Sequence, residues 1–182
     1  MSKNIWVISD HHFNHKNIIK FLRDDGTRLR PEFNTIEEMN EFMVHQHNSV
    51  VQPGDKVYIG GDFGDLEFAN RLIGQKRLIL GNHDDNWMNL KGAFKKVQVW
   101  RQFREDDGLR FAITHIPILL GDGIEHRSIQ FNVHGHLHHR IIMKDNKPDW
   151  RYINMCVEHH NYTPIHIEDL KKMMRQRMKL LT

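Results

Sequence analysis

The sequence predicts an α/β fold, on two observations. Strand-like apolar runs alternate with helix-like stretches along the chain, the pattern of sheets covered by helices. Each of the first three strand-like runs is followed at once by a cluster of Asp, Asn, His and Gly. In α/β sheets ligands bind beyond the C-terminal ends of strands, so such clusters can converge on one point.

In chain order, Ile5–Ser9 is a short apolar strand running straight into Asp10. Thr35-Ile36-Glu37-Glu38 reads as a capping box, with Thr35 at the N-cap and Glu38 at the third helical position. Ile36, Met39, Met43 and Val50 recur at near-helical spacing, which predicts a helix to about Ser49. Pro53-Gly54-Asp55 makes a turn before a strand over 56–60 that ends in Gly60-Gly61-Asp62. A helix over 66–73 stops at Gly74, and a third strand over 76–80 ends in Gly81-Asn82-His83-Asp84.

The second half reads as more antiparallel. Strands over 97–103 and 109–114 flank Glu105-Asp106-Asp107-Gly108 as a hairpin, with His115 following the second. A strand over 129–133 leads into His134-Gly135-His136-Leu137-His138. Runs over 141–144 and 150–157 flank Asp145-Asn146 as another hairpin candidate. A terminal helix over 167–180 turns Leu170, Met173 and Met174 inward as core residues.

Composition sets the class. A chain of 182 residues that is 39% hydrophobic and 27% charged is an ordinary globular protein with one substantial core, expected as a single domain over 1–182. No apolar run approaches the ~20 residues that cross a bilayer. The first ten residues carry one lysine and one short apolar run, too little for a signal peptide, so the expected compartment is the cytoplasm. The single cysteine, Cys156, cannot close an intrachain disulfide, which agrees with a reducing compartment. A net charge of +3 is a weak argument for nucleic acid; part of the excess sits in Lys171, Lys172, Arg175, Arg177 and Lys179. Histidine is the outlier, with fifteen in the chain, and imidazole serves as metal ligand and as proton donor near neutral pH.

The clusters that carry chemistry are Asp10-His11-His12, Gly61-Asp62-Phe63-Gly64, Gly81-Asn82-His83-Asp84, Thr114-His115 and Gly135-His136-Leu137-His138. They offer oxygen and imidazole donors without a thiolate, a set suited to manganese, iron, zinc, nickel or cobalt. Alternation at a strand end would place Asp10 and His12 on one side, and His136 and His138 likewise.

In this order D-x-H, G-D-x-G, G-N-H-D, a strand-end His and G-H-x-H resemble the calcineurin-like metallophosphoesterase superfamily, with every motif intact across residues 10–138. The start Ser9-Asp10-His11-His12-Phe13-Asn14-His15, followed by Asn17-Ile18-Ile19, and the closing segment over 154–164 are similar to its small, cap-less bacterial and phage-type members. The resemblance implies a four-layer αββα sandwich of two mixed β-sheets flanked by helices. It implies two divalent metal ions, manganese first among the candidates. Asp10, His12, Asp62 and His138 would hold one ion, and Asp62, Asn82, His115 and His136 the other, with the Asp62 carboxylate bridging. His83 would face the substrate as catalytic acid or as a donor to a phosphoryl oxygen.

The implied reaction is hydrolysis of phosphate esters, phosphodiesters favoured, by in-line attack of a metal-bridging hydroxide. The substrate would be a small phosphate ester or nucleotide-type molecule, with no membrane partner. The alternatives are a phosphomonoesterase or nucleotide pyrophosphatase, a nuclease, and a metal-binding interaction scaffold with little activity.

Around this set, Asp84 either orients His83 or a ligand, or caps a following helix. His11 and His15 stand beside the site as substrate or supporting contacts. His45 and His47 read as cations complementing a helix C-terminus. His134 and His139 read as packing or surface groups, and His166 as the start of the terminal helix. Asn14, Arg30 and Asn48 read as surface or turn residues, Cys156 as a small buried residue of the last strand, and His126, His159 and His160 carry no role.

Overall fold

The computed structural model describes residues 4–84, 87–121 and 129–180; His126 lies outside them. The chain opens with β1 (Ile5–Ile8) and, after a 3-10 turn at Ile18–Lys20, enters α1 (Ile36–Val50). Thr35 starts that helix as its sequence predicts. Its hydroxyl accepts from the Glu38 N–H at 3.1 Å, and the Glu38 carboxylate accepts from the Thr35 N–H at 3.2 Å. Next come β2 (Lys56–Ile59), a 3-10 segment (Leu66–Asn70), β3 (Gln75–Ile79), α2 (Trp87–Ala93) and β4 (Lys96–Gln98). The helix expected over 66–73 is thus a shorter 3-10 turn, opened by the Asp65 carboxylate, which accepts from Glu67 N–H. The second half supplies β5 (Trp100–Arg104), β6 (Arg110–Thr114), β7 (Phe131–His134), β8 (Met143–Lys144), β9 (Lys147–Pro148), β10 (Tyr152–Asn154), β11 (Ile165–His166) and α3 (Ile167–Lys179).

The strands form two mixed sheets, and the two-sheet α/β sandwich implied by the sequence is the one observed. In the first, β11-β1-β2-β3-β4, all pairs are parallel except β11 against β1. In the second, β10-β7-β6-β5, only β5 against β6 is antiparallel. The expectation of a mainly antiparallel second half fails because the segments joining β6 to β7 and β7 to β10 are long enough for crossovers that return the chain in the same direction. The run over 97–103 is not one strand. It is divided between the two sheets, β4 pairing with β3 and β5 with β6, and Val99 at the crossing is exposed. Asp145 and Asn146 turn a small β8–β9 hairpin with φ of 51° and 60°, the positive pair that a two-residue hairpin turn needs.

Alternation along the strands builds both cores. Val7, Tyr58 and Ile79 of the first sheet meet Phe111, Ile113, Phe131, Val133 and Ile153 of the second, joined by Ile167, Leu170 and Met174 of α3. The opposite face of the first sheet, Ile8, Val57, Ile59 and Leu78, packs on Met39 and Met43 of α1 and on Phe13, Phe63 and Phe94. No helix among the described residues is long and apolar enough to cross a membrane.

Three parallel neighbours in register, Ile8 beside Ile59 and Ile59 beside Leu78, bring the ends of β1, β2 and β3 to one rim. Thr114 beside His134 does the same for β6 and β7. All five motif clusters therefore leave from strand ends.

His47 overturns its sequence reading. It is fully buried under α1, where its Nε2–H donates to the Ile73 carbonyl at 2.9 Å. Burial pushes it down to about 4, so it is neutral and no complement to the helix dipole. Its proton affinity is lower folded than unfolded, so its contribution to stability is complete above the ordinary histidine value and is lost as pH falls from about 6.5 towards 4. The destabilisation caused by His47→Gln, measured by urea unfolding, should shrink by about 2 kcal/mol between pH 7 and pH 5. An equal loss at both pH values would contradict the assignment.

Candidate metal centre

The site begins with backbone, not side chains. The loop after β1 is laced to the loop after β2: Asp10 N–H donates to Gly61 O at 3.0 Å, His12 N–H to Asp62 O at 3.0 Å, and Phe13 N–H to Phe63 O at 2.9 Å. The loop after β3 is tied in by Asp84, whose carboxylate accepts from Gly81, Asp62 and Phe63 N–H at 2.8, 2.9 and 2.9 Å. Asp84 therefore orients the ligand-bearing loops, the first of its two sequence readings. The loop after β7 is tied to the first by His136 N–H, which donates to both oxygens of Asp10 at 3.0 Å.

Such close loops need glycine, as two positions illustrate. Gly61 has φ of 99°, and a Cβ there would strike the His115 ring and the backbone of Gly81. A Cβ on Gly135 would overlap the carboxylate of Asp10 and the hydroxyl of Ser9.

The chain reaches convergence by a different route from the alternation its sequence suggests. Asp10, His12, Asp62, His136 and His138 all take positive φ, between 48° and 69°. Non-glycine residues rarely adopt this left-handed conformation, and it persists only where the surroundings enforce it. Residues two apart are brought together here by tight turns beyond the strand, not by pleating within it.

The donor atoms meet. One ligand atom each from Asp10, His12 and Asp62 lie within 4.8 Å of one another. His12 Nε2 stands 3.5 Å from Asp62 Oδ2 and is buried without a hydrogen-bond partner. Asn82 Oδ1 is 2.9 Å from both His115 Nε2 and His136 Nδ1, and His115 Nε2 is also 3.4 Å from Asp62 Oδ2. The His138 ring stacks beside that of His12 with centroids 5.2 Å apart. Thus all seven residues expected as ligands are gathered. An imidazole nitrogen with no partner, aimed at a buried carboxylate, fits the coordination of a cation.

The electrostatics divide the carboxylates. Burial raises the pKa of Asp10. Burial acts the same way on Asp62, but His115, His12 and the His83 N–H bound at 2.9 Å hold its carboxyl down to about 2. Burial lowers the His12 imidazole to about 3. The His83 side chain is exposed, its ring 5.7 Å from that of His12. His15 lies next to it, its ring 5.5 Å from His12. His11, by contrast, is fully buried and stacks on Phe13 beneath the site, out of reach of any substrate.

Two residues of the site have no motif. Glu158, buried in the closing segment, accepts from His138 Nδ1–H at 3.0 Å and from Arg30 at 2.8 Å. Arg30 is fully buried, not a surface residue. Its guanidinium also donates to the carbonyls of Asp10 and His11 at 2.6 and 2.8 Å. Burial works against the Glu158 anion, yet Arg30 and His138 hold its carboxyl well below the usual range. A carboxylate behind a histidine fixes the ring's tautomer and orientation. The sequence singled out the whole segment over 154–164 but not Glu158 within it.

The remaining residues are structural. Cys156 precedes a 3-10 turn (Val157–His159) instead of lying in a strand, and its thiol donates to Asp10 Oδ2 at 3.2 Å. His159 Nε2–H and Asn154 Nδ2–H donate to the His138 carbonyl at 2.7 and 2.8 Å, fixing the last loop. His134 is packed, His166 caps α3, and Asn14 and Asn48 tie distant segments together through bonds to Asp65 and to Arg71 and Ile73.

No family model matches the chain. It is similar to the uncharacterised protein MJ1445 of Methanocaldococcus jannaschii, 31% identical over 189 residues that cover 96% of this chain and 93% of that one. It is also similar to the gene 66 protein of Mycobacterium phage L5, 28% identical over 175 residues covering 77% and 80%. The solved structure of the protein of unknown function AQ665 from Aquifex aeolicus superposes with a TM-score of 0.70 at 26% identity, covering 94% of this chain and 100% of that one.

Removing one member of the Arg30–Glu158 pair leaves a buried charge without its partner. Arg30→Met should lower the unfolding free energy by about 3–5 kcal/mol in urea, and Arg30→Met with Glu158→Gln should recover a large part of it. A single variant as stable as the parent would show the pair to be dispensable.

Proposed function

The chain belongs to the same family as MJ1445 of Methanocaldococcus jannaschii, and from that premise and its own side chains we propose that it is a metal-dependent phosphoesterase that prefers phosphodiesters. One observation carries the reading. Five residues are held in left-handed backbone at strand ends, and among them Asp10, His12 and Asp62, and Asp10 with His138, bring donor atoms within 4.8 Å of one another.

In this reading Asp10, His12, Asp62 and His138 hold one divalent ion, and Asp62, Asn82, His115 and His136 the other, manganese being the first candidate. The two ions would lower the pKa of a water and neutralise charge on phosphoryl oxygens. The chain's own contributions are positional. Asp62 Oδ2 stands 3.5 Å from His12 Nε2 and 3.4 Å from His115 Nε2, which suits a bridge. Glu158 and the Asp10 carboxylate fix the loop that carries His136 and His138. Asn82 presents a neutral oxygen, which limits negative charge beside an anionic substrate. His83, exposed at the rim, donates a proton to the leaving oxygen or a hydrogen bond to a phosphoryl oxygen.

The basic terminal helix does not favour a nucleic-acid substrate. Lys171 pairs with Glu105 and Glu168, Arg175 pairs with Asp107, and Arg177 donates to the carbonyls of Trp150 and Tyr152. Three of the five cations at this end of the chain are thus engaged within it, which leaves less charge for a phosphate backbone.

With manganese, turnover of bis-(p-nitrophenyl) phosphate should exceed that of p-nitrophenyl phosphate; turnover of the monoester alone would reverse the preference. Asp62→Asn should lose both metals and activity, and a two-metal protein of normal rate would place the bridge elsewhere. His83→Ala should keep its metals and lose ~10²–10⁴ in kcat, an unchanged kcat removing it from the mechanism.

A further inference from the structure

Two grooves with apolar sides are lined in part by residues of the candidate metal centre, and neither has a role in the reading above. One, of about 340 Å3, has an apolar side made by Phe21, Leu22, Leu29 and Leu137 and a polar side made by His136, His138, His139 and Arg140. The other, of about 320 Å3, is lined by Leu80, Val99, Trp100 and Ile116, with His115 as its inner wall. Between them stands Asn82, whose Oδ1 is 2.9 Å from a ring nitrogen of His115 and 2.9 Å from one of His136. Each groove thus has expected ligands in its lining, His136 and His138 in the first and His115 in the second.

The walls are unusual for a protein surface. Phe21, Leu22, Val99, Trp100 and Ile116 are 46%, 61%, 69%, 50% and 54% exposed, and all of them line these two grooves. Large apolar side chains left in water around a polar centre mark a place where apolar surface is covered on binding. Each groove is at the small end of ligand-pocket volumes, about 300–1,000 Å3, room for one ring system, not for a folded partner. A phosphomonoester has one organic arm and would fill one groove; a phosphodiester has two.

The geometry points to a phosphodiester with an apolar or aromatic-faced group on both arms, one lying along Phe21 and Leu22 and the other against Trp100 and Val99, with the phosphate over the histidines between. This inference rests on the phosphoesterase reading and adds to it the two subsites that set the substrate class. Trp100 and Phe21 are then specificity-determining residues. Trp100 holds its place because the chain passes between sheets at Val99, which projects the start of β5 beside the site.

The test is binding of diphenyl phosphate and of dimethyl phosphate to the manganese-loaded protein, followed by calorimetry. Phe21→Ala and Trp100→Ala should each weaken diphenyl phosphate roughly five- to tenfold, and together multiplicatively, while dimethyl phosphate binds as to the parent. Leu22→Ser and Val99→Ser, both at well-exposed positions, should move in the same direction and guard against misfolding of the aromatic variants. Unchanged binding of diphenyl phosphate in either pair, or none to the parent, overturns the inference. Hydrolysis of bis-(p-nitrophenyl) phosphate by the same preparations separates the two ideas. Turnover with unaltered affinity would remove the grooves and leave the phosphoesterase; the expected affinities without turnover would do the reverse.

Discussion

Carboxylates that hold the loops together are the constraint on which this structure depends. Asp84 accepts three backbone N–H groups from the second and third loops, and Asp10 accepts the His136 N–H from the last. Loops at strand ends have N–H groups that no ladder satisfies, and burying them without partners is costly. Here buried acids supply those partners. The same bonds overrule local backbone preference, so that five donor-bearing residues remain in left-handed conformation. Structure and chemistry are drawn from one set of atoms, since Asp10 is both fastener and donor.

A second ring of charge stands behind the first. Arg30 and Glu158 come from segments far apart in the chain and meet in the interior, where Glu158 reaches His138 and Arg30 reaches the carbonyls of the first loop. A buried ion pair of this kind adds little net stability over an apolar pair. Its use here is orientation: it fixes a histidine ring and a loop at once. The lowered proton affinities of His12 and Asp62 follow from different causes, burial for the first and surrounding imidazoles for the second. Both leave the groups in the deprotonated forms that coordinate cations.

Beyond the donors, large exposed apolar side chains stand on two sides. The crossing of the chain from the first sheet to the second at Val99 matters for this, because it places Trp100 at the rim and not within a strand of the first sheet. On the other side, the segment after the first loop carries Phe21 and Leu22 past His138 and its neighbour Leu137. The polar centre and its apolar flanks are therefore built by different elements.

The sequence by itself determined the α/β class, the Thr35–Glu38 capping box and the seven residues Asp10, His12, Asp62, Asn82, His115, His136 and His138 that come together. The class and the cap are legible because they depend on short-range pattern, hydrophobic period and cap chemistry; the seven residues are legible through five ordered motifs that resemble a known superfamily. Only the tertiary structure decided what depends on distant neighbours. It made the run over 97–103 two strands in two sheets and turned β7 and β10 parallel to β6. It took His47 out of water and made it neutral, and it joined Arg30 to Glu158 across 128 residues. Whether a side chain is charged, buried or aimed at a site is set by what packs against it, and nothing in a local stretch of sequence records that.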